Sequence, residues 1–159
     1  MRKLGKLILT SSLLIGSLPA MAESDHRNYQ EIFDDVTELE RGALLLSTRA
    51  RQAGDFVSQE LTDRAHRDLS RKADRLTREL NIRALGLADL IVGNASLADI
   101  ESCLEEIEVN YFQMARLKNE LRRAYRSERR DIDKAFNPIR STFFFLKDEI
   151  HQASQLSYE

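Results

Sequence analysis

Three histidines, one cysteine and two arginine-rich stripes are the side chains of this sequence with chemistry to offer. Their spacing decides how far it goes. Glu23-Ser-Asp-His26 has the Glu-x-x-His form that dinuclear carboxylate sites use. Such a site needs the pair from two helices, on core-facing positions. The form occurs once, ahead of any apolar seam, and Asp148-Glu-Ile-His151 is only a weaker variant. His66 stands alone among charged residues. Cys-x-x-Cys-His is absent, so covalent haem attachment is excluded. Non-covalent haem would need Met114 and a histidine, yet Met114 sits on an apolar seam and reads as core. Cys103 lies among Asp99, Glu101, Glu105 and Glu106. Nearby negative charge opposes thiolate formation and hence nucleophilic use. No glycine-rich phosphate loop is present. The expectation is therefore no catalytic residue, no cofactor, no metal and no enzymatic activity.

Recognition is the better use of these side chains. Arg64, Arg67, Arg71, Arg75 and Arg78 recur at steps of three and four, so they share one helical face. Arg116, Arg123, Arg126 and Arg130 repeat the pattern downstream. A solvated face with pairs such as Glu60–Arg64 and Asp74–Arg78 accounts for them; docking of an acidic partner, or of the acidic first helix of this chain, is the sharper alternative. Phe143-Phe144-Phe145 spans about 200° of a helix at 3.6 residues per turn, so the three cannot share one narrow seam. Phe144 and Phe145 are therefore candidate contact residues. Membrane-surface contact is left open, because that helix lacks a basic polar face.

The elements that carry these groups follow from composition and periodicity. Six Gly and two Pro leave few places for the chain to reverse, so it reads as all-α, with coiled-coil-like seams. Ile32, Val36, Leu39, Ala43, Leu46, Ala50 and Ala53 alternate four and three, with Asn28 and Glu31 as a capping box and Gly54 as the expected end. Asp55 then caps a second helix along Val57, Leu61, Ala65, Leu69, Ala73, Leu76 and Leu80. Gly93-Asn94 marks a turn, and Ser96 with Asp99 a capping box. The third seam is Leu97, Ile100, Leu104, Ile107, Tyr111, Met114, Leu121 and Tyr125, interrupted by Lys118 and expected to reach Phe136. Asn137-Pro138 looks like a helix start, ahead of Ile139, Phe143, Leu146, Ile150 and Ala153. Folding back at Gly93-Asn94 puts Gly54 opposite about residue 134, close to Pro138. If both breakers are turns, the fold is an antiparallel four-helix bundle; if both are kinks, it is one long helical hairpin. The bundle is favoured because it buries more apolar surface. Its two middle helices should outreach the outer two and project a tip whose Leu85, Leu87, Leu90 and Ile91 are candidate partner contacts.

The first residues belong to export rather than to the fold. Arg2, Lys3 and Lys6 precede the apolar stretch Leu7–Leu18; Pro19 follows, and Ala20-Met21-Ala22 has the A-x-A cleavage form. Residues 1–22 are thus expected to be a signal peptide and 23–159 a helical domain. The leader holds three of the 24 basic residues and none of the 26 acidic ones, so the mature chain carries −5. That argues against nucleic-acid binding. The apolar stretch is short for a membrane span and no second one follows, so no transmembrane helix is expected after cleavage. One cysteine permits no internal disulfide framework and leaves Cys103 free or paired between chains. The sequence thus points to an exported interaction protein: an adaptor, complex subunit or chaperone-like binder in the bacterial envelope, periplasmic first and extracellular second. Its partner is a protein or a second copy. A metal- or haem-carrying bundle and a secreted effector are the alternatives.

Overall fold

The computed structural model describes the backbone of residues 23–156 and side chains from Val36 to Gln155. The expected leader, with Ala20 and Ala22, lies outside the described residues, and the side chains of His26, Asn28, Glu31 and Ile32 likewise. Four helices account for nearly all the described chain: α1 (Glu23–Glu60), α2 (Arg67–Val92), α3 (Leu97–Ala124) and α4 (Arg129–Leu156). A single 3-10 turn, Arg64–His66, precedes α2. Helix α1 packs on α2 and α4, and α3 closes the other side against the same two. The result is an antiparallel four-helix bundle, with no strand among the described residues. No described helix is long and apolar enough to cross a membrane.

The seams read from the sequence form the core, except that Ala65 of the second is exposed in the 3-10 turn. Leu39, Ala43, Leu46, Ala50 and Ala53 of α1 are buried, as are Leu76 and Leu80 of α2 and the α3 series from Leu97 to Leu121. Lys118 interrupts that series without opening it, because Leu117 turns inward beside it and is buried. The Ser96 hydroxyl accepts the Asp99 N–H while the Asp99 carboxylate accepts the Ser96 N–H, so the expected capping box starts α3. The preceding turn uses the left-handed region at Asn94 (φ 55°), not at Gly93.

Two expected turns are not turns. Gly54 lies inside α1, which continues to Glu60 and buries Val57 with Leu61 just after it. Asp55 is correspondingly inside α1 and caps nothing. Glycine is needed at 54 for proximity: a Cβ there would stand 2.8 Å from Thr77 Oγ1 of α2. Pro138 lies inside α4, which runs from Arg129 without a break. A mid-helix proline forfeits the bond to the carbonyl four residues back. Continuity survives because Ile132, Phe136, Ile139 and Phe143 form one buried stripe on both sides of it. The real breaks fall about ten residues from the expected ones, at 61–66 and 125–128. They still face each other: the Tyr125 hydroxyl donates to the Leu61 carbonyl (3.2 Å) and lies 2.7 Å from Ser70 Oγ. Asp63 Oδ1 accepts the Ala65 N–H at the first break, and Arg129 Nε donates to the Arg122 carbonyl across the second.

Moving the breaks removes the projecting tip. The outer helices (38 and 28 residues) are then no shorter than the middle ones (26 and 28), and α4 ends level with the α2–α3 turn. Leu87 and Ile91 are 0% exposed and belong to the core, so neither is available to a partner. Leu90 is half-buried against it, and only Leu85 of the four is exposed.

Candidate functional site

The bundle opens where α3 and α4 pass one another. A groove of about 330 Å³ is lined there by Tyr111, Phe112, Met114, Lys118, Phe136, Arg140 and Phe144, among others. Helical spacing explains which side chains reach it. Phe143 points into the core and stacks on Tyr111 (ring centroids 4.5 Å apart), while Phe144, about 100° further round, meets the edge of the Tyr111 ring at 5.7 Å. Phe145 turns the other way, toward Gly42 of α1. The three consecutive phenylalanines thus divide among core, groove and the α1 side.

The groove is apolar at its floor and cationic at its rim. Phe112 is 47% exposed, Phe144 38% and Val109, one turn before Phe112, 59%. The Arg140 guanidinium lies 6.0 Å from the Phe144 ring centroid, at the outer limit of a cation–π contact. Burial raises the Tyr111 phenol above its ordinary value, and the Arg140 charge partly offsets the rise. Arg140 has no ion-pair partner among the described residues. Lys118 does: it donates to Asn137 Oδ1 and pairs with Asp133 at 2.8 Å. The hydrogen bond from Lys118 to Asp133, aided by the charges of Lys118 and Arg122 and opposed by desolvation, holds the Asp133 carboxyl below its usual range. The groove therefore has one pinned cation and one unengaged one.

The arginine stripes are less regular than their spacing suggests. Arg67, Arg71, Arg75 and Arg78 lie exposed along α2, but Arg64 precedes it in the 3-10 turn. Arg78 pairs with Asp74 at 3.0 Å and Arg75 approaches Glu79 at 3.8 Å. The expected Glu60–Arg64 helical pair does not form, because the chain leaves the helix at Glu60. Arg67 and Arg71 border a shallow cleft of about 290 Å³ with Ser58, Thr62 and Ser70. The second stripe splits across two helices: Arg116 and Arg123 belong to α3, Arg126 to the connection and Arg130 to α4.

The remaining chemistry-bearing residues stay apart. Among the described residues no three His, Cys, Asp or Glu gather as a metal-holding group. His66 lies edge-on to the Tyr125 ring at 5.3 Å, and His151 contacts Gln155. Met114 is buried. Cys103 is a half-buried free thiol, raised above its ordinary pKa first by burial and then by Glu106, with Arg83 opposing. Asn110 was not anticipated. It is buried on α3, donates to Glu79 Oε2 at 3.3 Å and leaves its own Oδ1 without a partner. Compared with known proteins, the chain matches no family model, no curated protein and no solved structure.

Proposed function

We propose that this chain is an exported helical interaction protein of the bacterial envelope, which takes a segment of a partner protein into the groove between α3 and α4. The observation that carries the reading is the exposure of Phe112 and Phe144 around Tyr111, beside the unengaged Arg140. A helix pair that faces only water gains nothing from aromatic rings at such positions. An interface does, since aromatic side chains and arginine dominate binding hot spots. The chemistry fits a segment that offers one apolar side chain to the rings and a carboxylate or backbone carbonyl to Arg140. Export rests on the leader pattern Arg2–Ala22, and the periplasm is the proposed compartment.

A photo-crosslinking side chain at position 112 or 144, introduced in producing cells, tests the groove. The expected result is one discrete adduct from either position and none from position 75, on the exposed face of α2. Equal labelling from all three positions overturns the groove reading. Mass spectrometry of envelope fractions tests export: the expected N-terminus is Glu23, and Met1 retained on cytosolic protein refutes it.

A further inference from the structure

The charges of this bundle are sorted along its axis. Residues 36–48, 80–110 and 143–156 make up the half nearest the α2–α3 turn, and they hold ten carboxylates and three basic side chains. Residues 49–79 and 111–142 make up the half nearest the other two connections, and they hold ten carboxylates and seventeen basic side chains. Over residues 36–156 one half therefore carries −7 and the other +7; residues 23–35, which begin α1, hold five more carboxylates and one arginine. The long axis is about 40 Å, from 28-residue helices at 1.5 Å rise.

Helix stability does not explain this sorting. In α3 acidic residues come first and basic ones later, which suits the helix macrodipole, whereas α1 ends on Asp55 and Glu60 with no basic residue in its last turn. In α2 and α4 the order is reversed. Arg67, Arg71 and Lys72 open α2, Arg129 and Arg130 open α4, and neither helix has a basic residue in its last turn. Charge thus follows position along the bundle, against helix polarity in half of it. Antiparallel helix dipoles cancel, so the side chains alone set the polarity of the molecule. Crowding like charges at each end also opposes compactness. Internal pairing leaves both poles open. Lys147 pairs with Glu108 and Arg83 with Glu106, which occupies two of the three bases at the acidic pole. Arg64, Arg67, Arg71, Arg123, Arg126 and Arg130 at the basic pole have no carboxylate partner among the described residues.

We infer that the basic pole receives the acidic pole of a second copy of this chain, so that molecules associate head to tail. The matching occupant is on the page: opposite charges at opposite ends of one molecule. Of the nine large apolar side chains exposed among the described residues, eight lie in the acidic half and the ninth, Phe112, lies just across its boundary, so the basic end offers charge and hydroxyls rather than an apolar seat. The contact uses different patches on the two copies and is therefore open-ended rather than two-fold. It stands independently of the α3–α4 groove.

Sedimentation velocity of the purified protein tests it. Self-association is expected at low salt, with a dissociation constant that rises at least tenfold between about 20 and about 300 mM NaCl as the Debye length shrinks from roughly 20 to 6 Å. Arg67→Glu, Arg71→Glu, Arg126→Glu and Arg130→Glu together neutralise the basic pole, from +7 to −1. Asp89→Lys, Glu105→Lys and Asp148→Lys together neutralise the acidic pole, from −7 to −1; all seven positions are exposed and outside the ion pairs described above. Each variant alone is expected to be monomeric with an unchanged helical circular dichroism spectrum. Mixing the two variants is expected to restore association, because each keeps one native pole, whereas all seven changes in one chain leave −1 in each half and are expected to keep it monomeric. The proposal is overturned if the parent is monomeric at low salt up to about millimolar concentration, a dissociation constant near the weakest that matters. It is also overturned if either single-pole variant still associates, or if the parent binds only vesicles of anionic phospholipid and not itself.

Discussion

Replacing Gly54 by alanine separates a glycine that ends a helix from one that lets two helices touch. Gly54 is buried inside α1, and a Cβ built on it stands 2.8 Å from Thr77 Oγ1 but 3.5 Å from Thr77 Cβ. The obstacle is thus the hydroxyl. Thr77 cannot easily move it away, because that hydroxyl donates within its own helix toward the Ala73 and Asp74 carbonyls (3.1 and 2.8 Å). Two opposing contributions follow. Alanine inside a helix is favoured over glycine by about 0.8–1.0 kcal/mol. Overpacking a core contact costs about 1–3 kcal/mol. Gly54→Ala should therefore destabilise the bundle by about 0–2 kcal/mol, the difference of the two. In the Thr77→Ala background the hydroxyl is gone and an ordinary contact remains. There the same change should stabilise by about 1 kcal/mol, or roughly 4 °C in Tm. Urea denaturation of the four proteins in the cycle measures this, and the loss from Thr77→Ala itself cancels. The expected result is a change of sign between backgrounds. If Gly54→Ala has the same effect in both to within about 0.3 kcal/mol, the steric account is wrong.

Other perturbations probe the two breaks and the α2–α3 turn. Tyr125→Phe removes the hydroxyl that ties Leu61 to Ser70; the buried partners left behind should cost about 1–3 kcal/mol, toward the lower end because Ser70 keeps a weak bond to the His66 carbonyl, and denaturation midpoints will show it. Asn94→Gly should stabilise by a few tenths of a kcal/mol and Asn94→Val destabilise by about 1–2 kcal/mol, since Asn94 holds a left-handed φ that branched residues avoid; thermal melts decide. Asp133 titrates below 3.8 in the folded chain, chiefly through the Lys118 hydrogen bond. A depressed carboxyl stabilises the fold fully above its unfolded value, and that contribution disappears as pH falls through the folded value. Lys118→Met should therefore raise the Asp133 midpoint and flatten stability below about pH 4, as NMR titration of the carboxyl carbon will report; an unmoved midpoint refutes the assignment.

Fold class and seams were legible in the sequence because they depend on spacing alone. Leu97, Ile100, Leu104, Ile107, Tyr111 and Met114 must share a face of any helix that contains them, and Ser96 with Asp99 caps α3 by purely local bonds. The groove was legible only in part. Phe144 stood out within its triplet, whereas nothing local marked Phe112 or Arg140, since their significance depends on how closely α3 and α4 approach. The turns were misplaced for a similar reason. Glycine and proline lower the cost of ending a helix, but the chain ends helices where four seams can close together. Gly54 therefore answers to Thr77 on another helix, and Pro138 is carried through by the stripe from Ile132 to Phe143. The breaks at 61–66 and 125–128 are fixed instead by Tyr125 reaching Leu61 and Arg129 reaching the Arg122 carbonyl. The second of these is a short hop along the chain, but the first joins residues 64 positions apart, and no local pattern encodes it. The charge poles show the same division. Each helix displays its own charge order in the linear text, but only antiparallel packing brings the acidic end of α4 beside the acidic start of α3. Position along the chain is set by covalent order, whereas position along the bundle is set by which turns the buried side chains permit.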